Sequence, residues 1–108
     1  MYIMKELDFQ SIGQKIREVR INKKLTQEYV AEKTAVNVSH ISNLETGKVK
    51  VSLTLLVGIC NALDTTVDFI LESEYHVPTS VIEKELLNTI KDMDNSKLET
   101  LLRIAKVL

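Results

Sequence analysis

Apolar residues recur along this chain at helical spacing rather than in strand-like alternation. Phe9, Ile12, Ile16 and Val19 fall three or four positions apart behind Asp8, a good N-cap residue, so the spacing predicts a first helix ending near Asn22. The stretch INKK interrupts it. Thr26 suits the N-cap of a short second helix, Gln27 to Lys33, with Val30 and Ala31 inward. Asn37 stands at the head of a third, Val38 to Glu45, with Ile41 and Leu44 inward, and Gly47 fits the left-handed residue just past its end. Ser52 opens a fourth helix whose apolar stripe is Leu53, Leu56, Ile59, Cys60 and Leu63. Thr66 opens a brief fifth one to about Leu71, burying Val67, Ile70 and Leu71.

The segment ESEYHVP, with the single proline Pro78, marks a boundary. Beyond it, Ser80 and Glu83 have the spacing of a capping box for a helix to about Met93, which aligns Ile82, Leu86, Ile90 and Met93. A last helix from Asp94 or Ser96 carries Leu98, Leu101, Leu102, Ala105 and Leu108. The pattern therefore predicts an all-α chain, with five helices in residues 1–74 and a two-helix extension in residues 75–108.

Composition narrows this further. Three glycines and one proline are too few to turn an all-β chain at roughly every 8–12 residues. A chain of 108 residues has room for one full-sized core. The lone Cys60 excludes an internal disulfide framework and a multi-cysteine zinc site. No apolar run approaches the ~18 residues that span a bilayer, and MYIMKELDFQ lacks the apolar core of a signal peptide. These features predict a cytoplasmic protein with no membrane association.

The formal net charge of −1 conceals an asymmetry. Residues 1–51 hold nine Lys/Arg against six Asp/Glu, a net of +3, whereas residues 52–108 hold five against nine, a net of −4. A basic N-terminal half suits a face presented to a polyanion.

The chemistry concentrates in LTQEYVAEKTAVNVSHISNLETGK, residues 25–48. Two short helices joined by three or four residues must cross steeply, with small Ala31 at the close approach and Val30, Val36, Ile41 and Leu44 in the wedge. That is the geometry of a helix-turn-helix unit. With Ile41 and Leu44 inward, a rotation of about 100° per residue points Ser39 outward. Ser42, Asn43 and Thr46 flank it, and Val38 and His40 lie at the edges. Solvated helix faces are usually rich in Glu, Asp and Lys, and this one has none. Short Ser, Asn and Thr side chains can instead bond base edges closely, Asn gripping adenine through N6 and N7 together.

Through IGQKIREVR, LTQEYVAEKTAVNVSHISNLETGK, the Ser52–Leu63 helix and TTVDFIL, the chain from about Phe9 to Glu72 resembles the helix-turn-helix DNA-binding domain of phage repressor and Cro proteins, the XRE-type family. The resemblance implies a five-helix repressor-like domain, with residues 75–108 as a dimerisation or interaction segment. It also implies a third helix that enters the major groove of double-stranded DNA, as a homodimer on a two-fold site. Carried over residue by residue, Ser39, Ser42 and Asn43 would read bases, and Val38 would meet a thymine methyl. Gln27, Asn37, Thr46, Lys48 and Lys50 would hold phosphates. Arg20 and Glu45 stand where the family pairs an arginine of the first helix with the glutamate closing the third. Without an arginine on the reading face, A·T pairs are expected at the contacted positions. The family usually has glycine where this chain has Ala35. Either the alanine turns left-handed at about 1–2 kcal/mol, or the turn relaxes and re-aims the third helix.

Several other residues tempt a different reading. His40 reads as a groove-edge or phosphate contact, and Cys60 as a buried thiol. Tyr29 reads as a residue packed at the edge of the second helix. Asp64 and Asp68, four apart near a helix start, read as capping and dipole groups. No nucleophile, base, metal cluster or cofactor cradle can be assembled, so an enzyme is not expected. The tail either folds back on the first domain or pairs with a second copy through Ile82, Leu86, Ile90, Leu98, Leu101, Leu102, Ala105 and Leu108; pairing is expected. The function expected from all this is a transcriptional regulator, a repressor by promoter occlusion. The rival is an antitoxin-like or adaptor module whose C-terminal helices bind a different protein.

Overall fold

The computed structural model describes residues 4–108; residues 1–3, which open the stretch weighed above as a leader, lie outside the described residues. The described chain forms seven helices: α1 (Phe9–Asn22), α2 (Gln27–Thr34), α3 (Val38–Glu45), α4 (Leu53–Leu63), α5 (Val67–Leu71), α6 (Thr79–Ile90) and α7 (Asn95–Val107). The fold is all-α, as the periodicity predicts. The chain divides into two compact units, one running to Tyr75 and the other spanning His76–Leu108. Among the described residues, no helix is long and apolar enough to cross a membrane.

Helix starts in the first unit follow local chemistry. Asp8 accepts the Ser11 N–H at 3.1 Å, Thr26 that of Tyr29 at 3.0 Å, Ser52 that of Leu55 at 3.2 Å and Thr66 that of Phe69 at 3.1 Å. Each bond satisfies one donor that a helix start leaves without an intrahelical partner, and contributes about 1 kcal/mol. The inward faces then merge into one core. Ile12 and Ile16 of α1 meet Val30 of α2, Ile41 and Leu44 of α3, Leu56, Ile59 and Leu63 of α4, and Ile70 of α5. Leu25 and Val36, from the turns on either side of α2, pack against this cluster. Cys60 is buried in it, and burial pushes its thiol above the ordinary range, which keeps it protonated.

Three sequence expectations need correction. Leu53 is not part of the core stripe, because 73% of it is exposed. Helical spacing fixes only the direction in which a side chain points, and in this first turn it is Leu55 and Leu56 that pack on the core. The capping box at Ser80 does not form, because Pro78, with φ −59° and ψ 142°, takes the N-cap position and α6 begins at Thr79. Ser80 is thereby drawn inside the first turn, and the helix closes at Ile90 rather than Met93. Asp64 is the left-handed C-cap of α4, at φ 52°, rather than a group at the start of α5. Thr66 occupies that start instead.

Two backbone positions set how α3 is carried. At Gly13, α1 lies so close to the end of α3 that any Cβ would collide with the Leu44 carbonyl oxygen. At Ala35, between α2 and α3, the chain is left-handed, with φ 57° and ψ 39°. The turn therefore keeps the glycine-like form and does not relax. Its strain of about 1–2 kcal/mol exceeds the roughly 0.5–1 kcal/mol that glycine loses through a freer unfolded chain.

The second unit has no buried residue in either helix. Asp94 caps α7 through the Lys97 N–H at 2.9 Å. The facing sides of α6 and α7 leave an open apolar groove of about 380 Å³, lined by Leu86, Ile90, Leu98, Leu101, Leu102 and Ala105.

Ala35→Gly should raise the stability of the protein by about 0.5–1 kcal/mol, seen as a higher urea midpoint at unchanged slope. Gly13→Ala should lower it by several kcal/mol, of the order seen for overpacked cores. A midpoint at or above the wild-type value for Gly13→Ala would show that α1 and α3 do not approach closely.

Candidate nucleic-acid interface

Burial of Ile41 and Leu44, at 0% and 2% exposure, turns the opposite side of α3 outward. Ser39 is exposed there, Val38 is 37% exposed at the helix start, and Ser42 and Asn43 are half-buried along the flank. His40 is half-buried at the edge. The four residues expected to read bases thus lie on one short helix, along the side away from the core. Asn37 occupies the N-cap of α3 with φ −68° and ψ 146°, yet its side chain makes no capping bond. Asp8, Thr26, Ser52, Thr66 and Asp94 all bond the amides of their helices. The exposed Asn37 side chain therefore plays no capping role.

The residues expected at phosphates are placed less uniformly. Lys48 and Lys50 are exposed just past α3, with the Lys50 ammonium 5.7 Å from the Phe9 ring centroid. Thr46 is exposed, but its hydroxyl donates to the carbonyl oxygens of Ser42 and Asn43 at 3.2 and 3.3 Å. Phosphate oxygens only accept, so Thr46 must turn away from α3 before it can bond one. At the start of α2, Thr26 takes the Tyr29 amide, which leaves those of Gln27 and Glu28 directed along the helix axis toward any anion.

Beneath this surface sits a buried charge. The Glu45 side chain is 1% exposed and that of Arg20 is 11% exposed. Arg20 Nε donates to Glu45 Oε2 at 2.7 Å and its Nη2 to Oε1 at 3.0 Å, a two-pronged pairing between α1 and the end of α3. Arg20 Nη1 also donates to the Leu25 carbonyl at 2.9 Å, which ties in the loop before α2. Hydrogen bonding to Glu45 holds the guanidinium above its ordinary pKa against the opposing effect of burial.

Sequence reasoning misses two features of this site. Gln27, assigned to phosphate alone, donates its Nε2 to Glu45 Oε1 at 3.0 Å and so belongs to the buried network as well. Gly13 determines how closely α1 supports α3, and its only signal in the sequence is a glycine in a helix interior with no capping role. Glu74 is a further buried acid, and it accepts the Asp8 N–H at 2.8 Å, fixing the start of α1.

The helical fold of the first unit has known counterparts. Residues 16–70, half of the chain, match the family model described as helix-turn-helix, and the chain belongs to this XRE-type family of DNA-binding transcription regulators. Among solved structures, the restriction-modification controller protein C.AhdI from Aeromonas hydrophila is 32% identical, with a TM-score of 0.56 over 58% of this chain and 96% of its own. The clp gene regulator ClgR from Corynebacterium glutamicum is 27% identical, with a TM-score of 0.59 over 82% of this chain and 95% of its own. C.Esp1396I bound to a 25 base pair operator site is 22% identical, with a TM-score of 0.56 over 64% of this chain and 91% of its own, a likeness of fold alone. No curated protein matches the chain.

Removing one partner of a buried pair strands the other charge. Glu45→Ala should therefore cost about 3–5 kcal/mol in urea unfolding, and Arg20→Met with Glu45→Leu should cost clearly less. A Glu45→Ala protein as stable as wild type would mean that the pair does not hold α3.

Proposed function

We propose that this chain is a sequence-specific DNA-binding regulator that represses transcription by occluding a promoter. In this proposal α3 lies in the major groove of a two-fold operator, and two copies bind together. The observation that carries the reading is the outward face of α3. It presents Val38, Ser39, Ser42 and Asn43, all short or amide side chains, on a helix whose inner face is fixed by a buried ion pair. Around it, Asn37, Lys48, Lys50, the amide ends of α2 and Gln27 supply donors for phosphates, with His40 at the groove edge and Thr46 after rotation. The similarity to a restriction-modification controller, to a clp gene regulator and to a protein bound to its operator site supports the same reading.

We assign residues 1–74 to DNA binding and residues 75–108 to pairing of two copies. The stripe of Ile82, Leu86, Ile90, Leu98, Leu101, Leu102, Ala105 and Leu108 has no buried member, and the groove between α6 and α7 has no cover within its own unit. Residues 76–108 carry five Lys/Arg and five Asp/Glu, so two copies meet without net repulsion. Two linked modules on a two-fold site bind far more tightly than one. The open groove equally admits a different protein as partner, which is the rival reading and makes DNA binding secondary.

Affinity for duplex DNA should fall steeply with salt, in proportion to the phosphates neutralised. Selection from a random duplex pool should enrich an inverted repeat. Asn43→Ala should relax base preference at one position by about 1–3 kcal/mol, while Gln27→Ala weakens all sequences alike. Equal effects of both variants on preferred and random duplexes would contradict this division. In sedimentation, the full chain should be dimeric and Leu98→Glu with Leu101→Glu monomeric. A wild-type chain that stays monomeric at every concentration favours the rival partner.

A further inference from the structure

The three glutamines of the chain stand in different surroundings. Gln10 and Gln14 are exposed on α1, whereas Gln27 is half-buried with its Nε2 3.0 Å from Glu45 Oε1. A carboxylate can only accept, so chemistry settles the orientation of this amide: nitrogen toward Glu45, carbonyl oxygen on the other branch. The amide nitrogen carries two protons. One goes to Glu45, and no partner among the described residues takes the other. Glu45 is itself shielded, and its oxygens are held by Arg20 and Gln27, so it is not a DNA contact.

We propose that Glu45 is the positioning residue for the Gln27 phosphate contact: its Oε1 locks the Gln27 amide so that a free N–H, and not the carbonyl oxygen, faces the DNA backbone. The inference rests on the DNA-binding reading given above. It makes one carboxylate responsible for two functions on different helices. Through Arg20 it seats the reading helix α3 on α1, and through Gln27 it aims the phosphate contact at the start of α2. A neutral amide at position 45 offers either an oxygen or a nitrogen to Gln27. The Gln27 amide is then free to flip and to turn its carbonyl toward the acceptor-only phosphate, which repels it.

Two measurements on the full chain test this. The first needs no variant and no DNA. In side-chain amide relaxation by NMR, Gln27 should be rigid, with an order parameter near ~0.8, while Gln10 and Gln14 fall below about 0.6. A Gln27 amide as mobile as the other two overturns the assignment. The second is a binding cycle with sheared duplex DNA of mixed sequence at low salt. Gln27→Ala should weaken binding about fivefold, and Glu45→Gln by a similar factor. In the Gln27→Ala background, Glu45→Gln should then cost less than it does in the wild-type chain, the remainder reflecting its seating of α3 through Arg20. Losses that multiply in full overturn the assignment alone, because they mean that Glu45 acts on the scaffold and not through Gln27. A wild-type chain that binds no duplex overturns the regulator reading and this assignment with it.

Discussion

A carboxylate with almost none of its surface in water is tolerable only if its charge and lone pairs are met within the protein, and at Glu45 they are met by Arg20 and Gln27. The three residues come from α3, α1 and α2, so the pairing fixes the mutual placement of all three helices. Apolar contacts alone would seat α3 less definitely, since hydrophobic burial is non-directional. The pair adds direction, because a two-pronged guanidinium–carboxylate contact has a narrow geometry. In the proposed function α3 reads bases, which requires its side chains at fixed depth and rotation. The buried pair is the element of this fold suited to that requirement.

The backbone contributes a second constraint of the same kind. Gly13 lets α1 lie directly against the end of α3, within reach for Arg20 to pair with Glu45. Ala35 holds the turn between α2 and α3 in a left-handed form that an alanine adopts only under strain. That the turn persists with alanine in place indicates how strongly the packing around it is determined. Val36, the next residue, packs on the core, and its N–H bonds the Ala31 carbonyl at 3.1 Å, so the turn is held from both sides.

The two units differ in what stabilises them. The first encloses twelve buried apolar residues from five helices. The second, of about thirty residues, is below the size at which a single core sustains itself, and neither of its helices buries a residue. Its amphipathic stripe stays uncovered within the unit, which is why we give it the pairing role. In the proposed assembly, operator affinity would depend on protein concentration through the tail while base preference would stay with α3, so the two would be separable by mutation.

Much of the fold was legible in the residue order. Asp8, Thr26, Ser52, Thr66 and Asp94 cap helices because capping is local chemistry, and Ile12, Ile16, Ile41, Leu44, Leu56 and Leu63 are buried because helical spacing gathers them on single faces. The polar outer side of α3 followed from the same rotation arithmetic. Other features depended on neighbours distant in sequence. Leu53 lies on the expected stripe yet is exposed, while Leu55 and Leu56 of the same turn pack on the core. Gly13 matters because of the Leu44 carbonyl, thirty-one positions along, and Gln27 is aimed by Glu45, eighteen positions along. Local pattern thus determined which helices exist and which way each faces. Only the tertiary structure decided how deeply each face is covered and which polar groups meet, because both depend on helices that sequence spacing alone does not position.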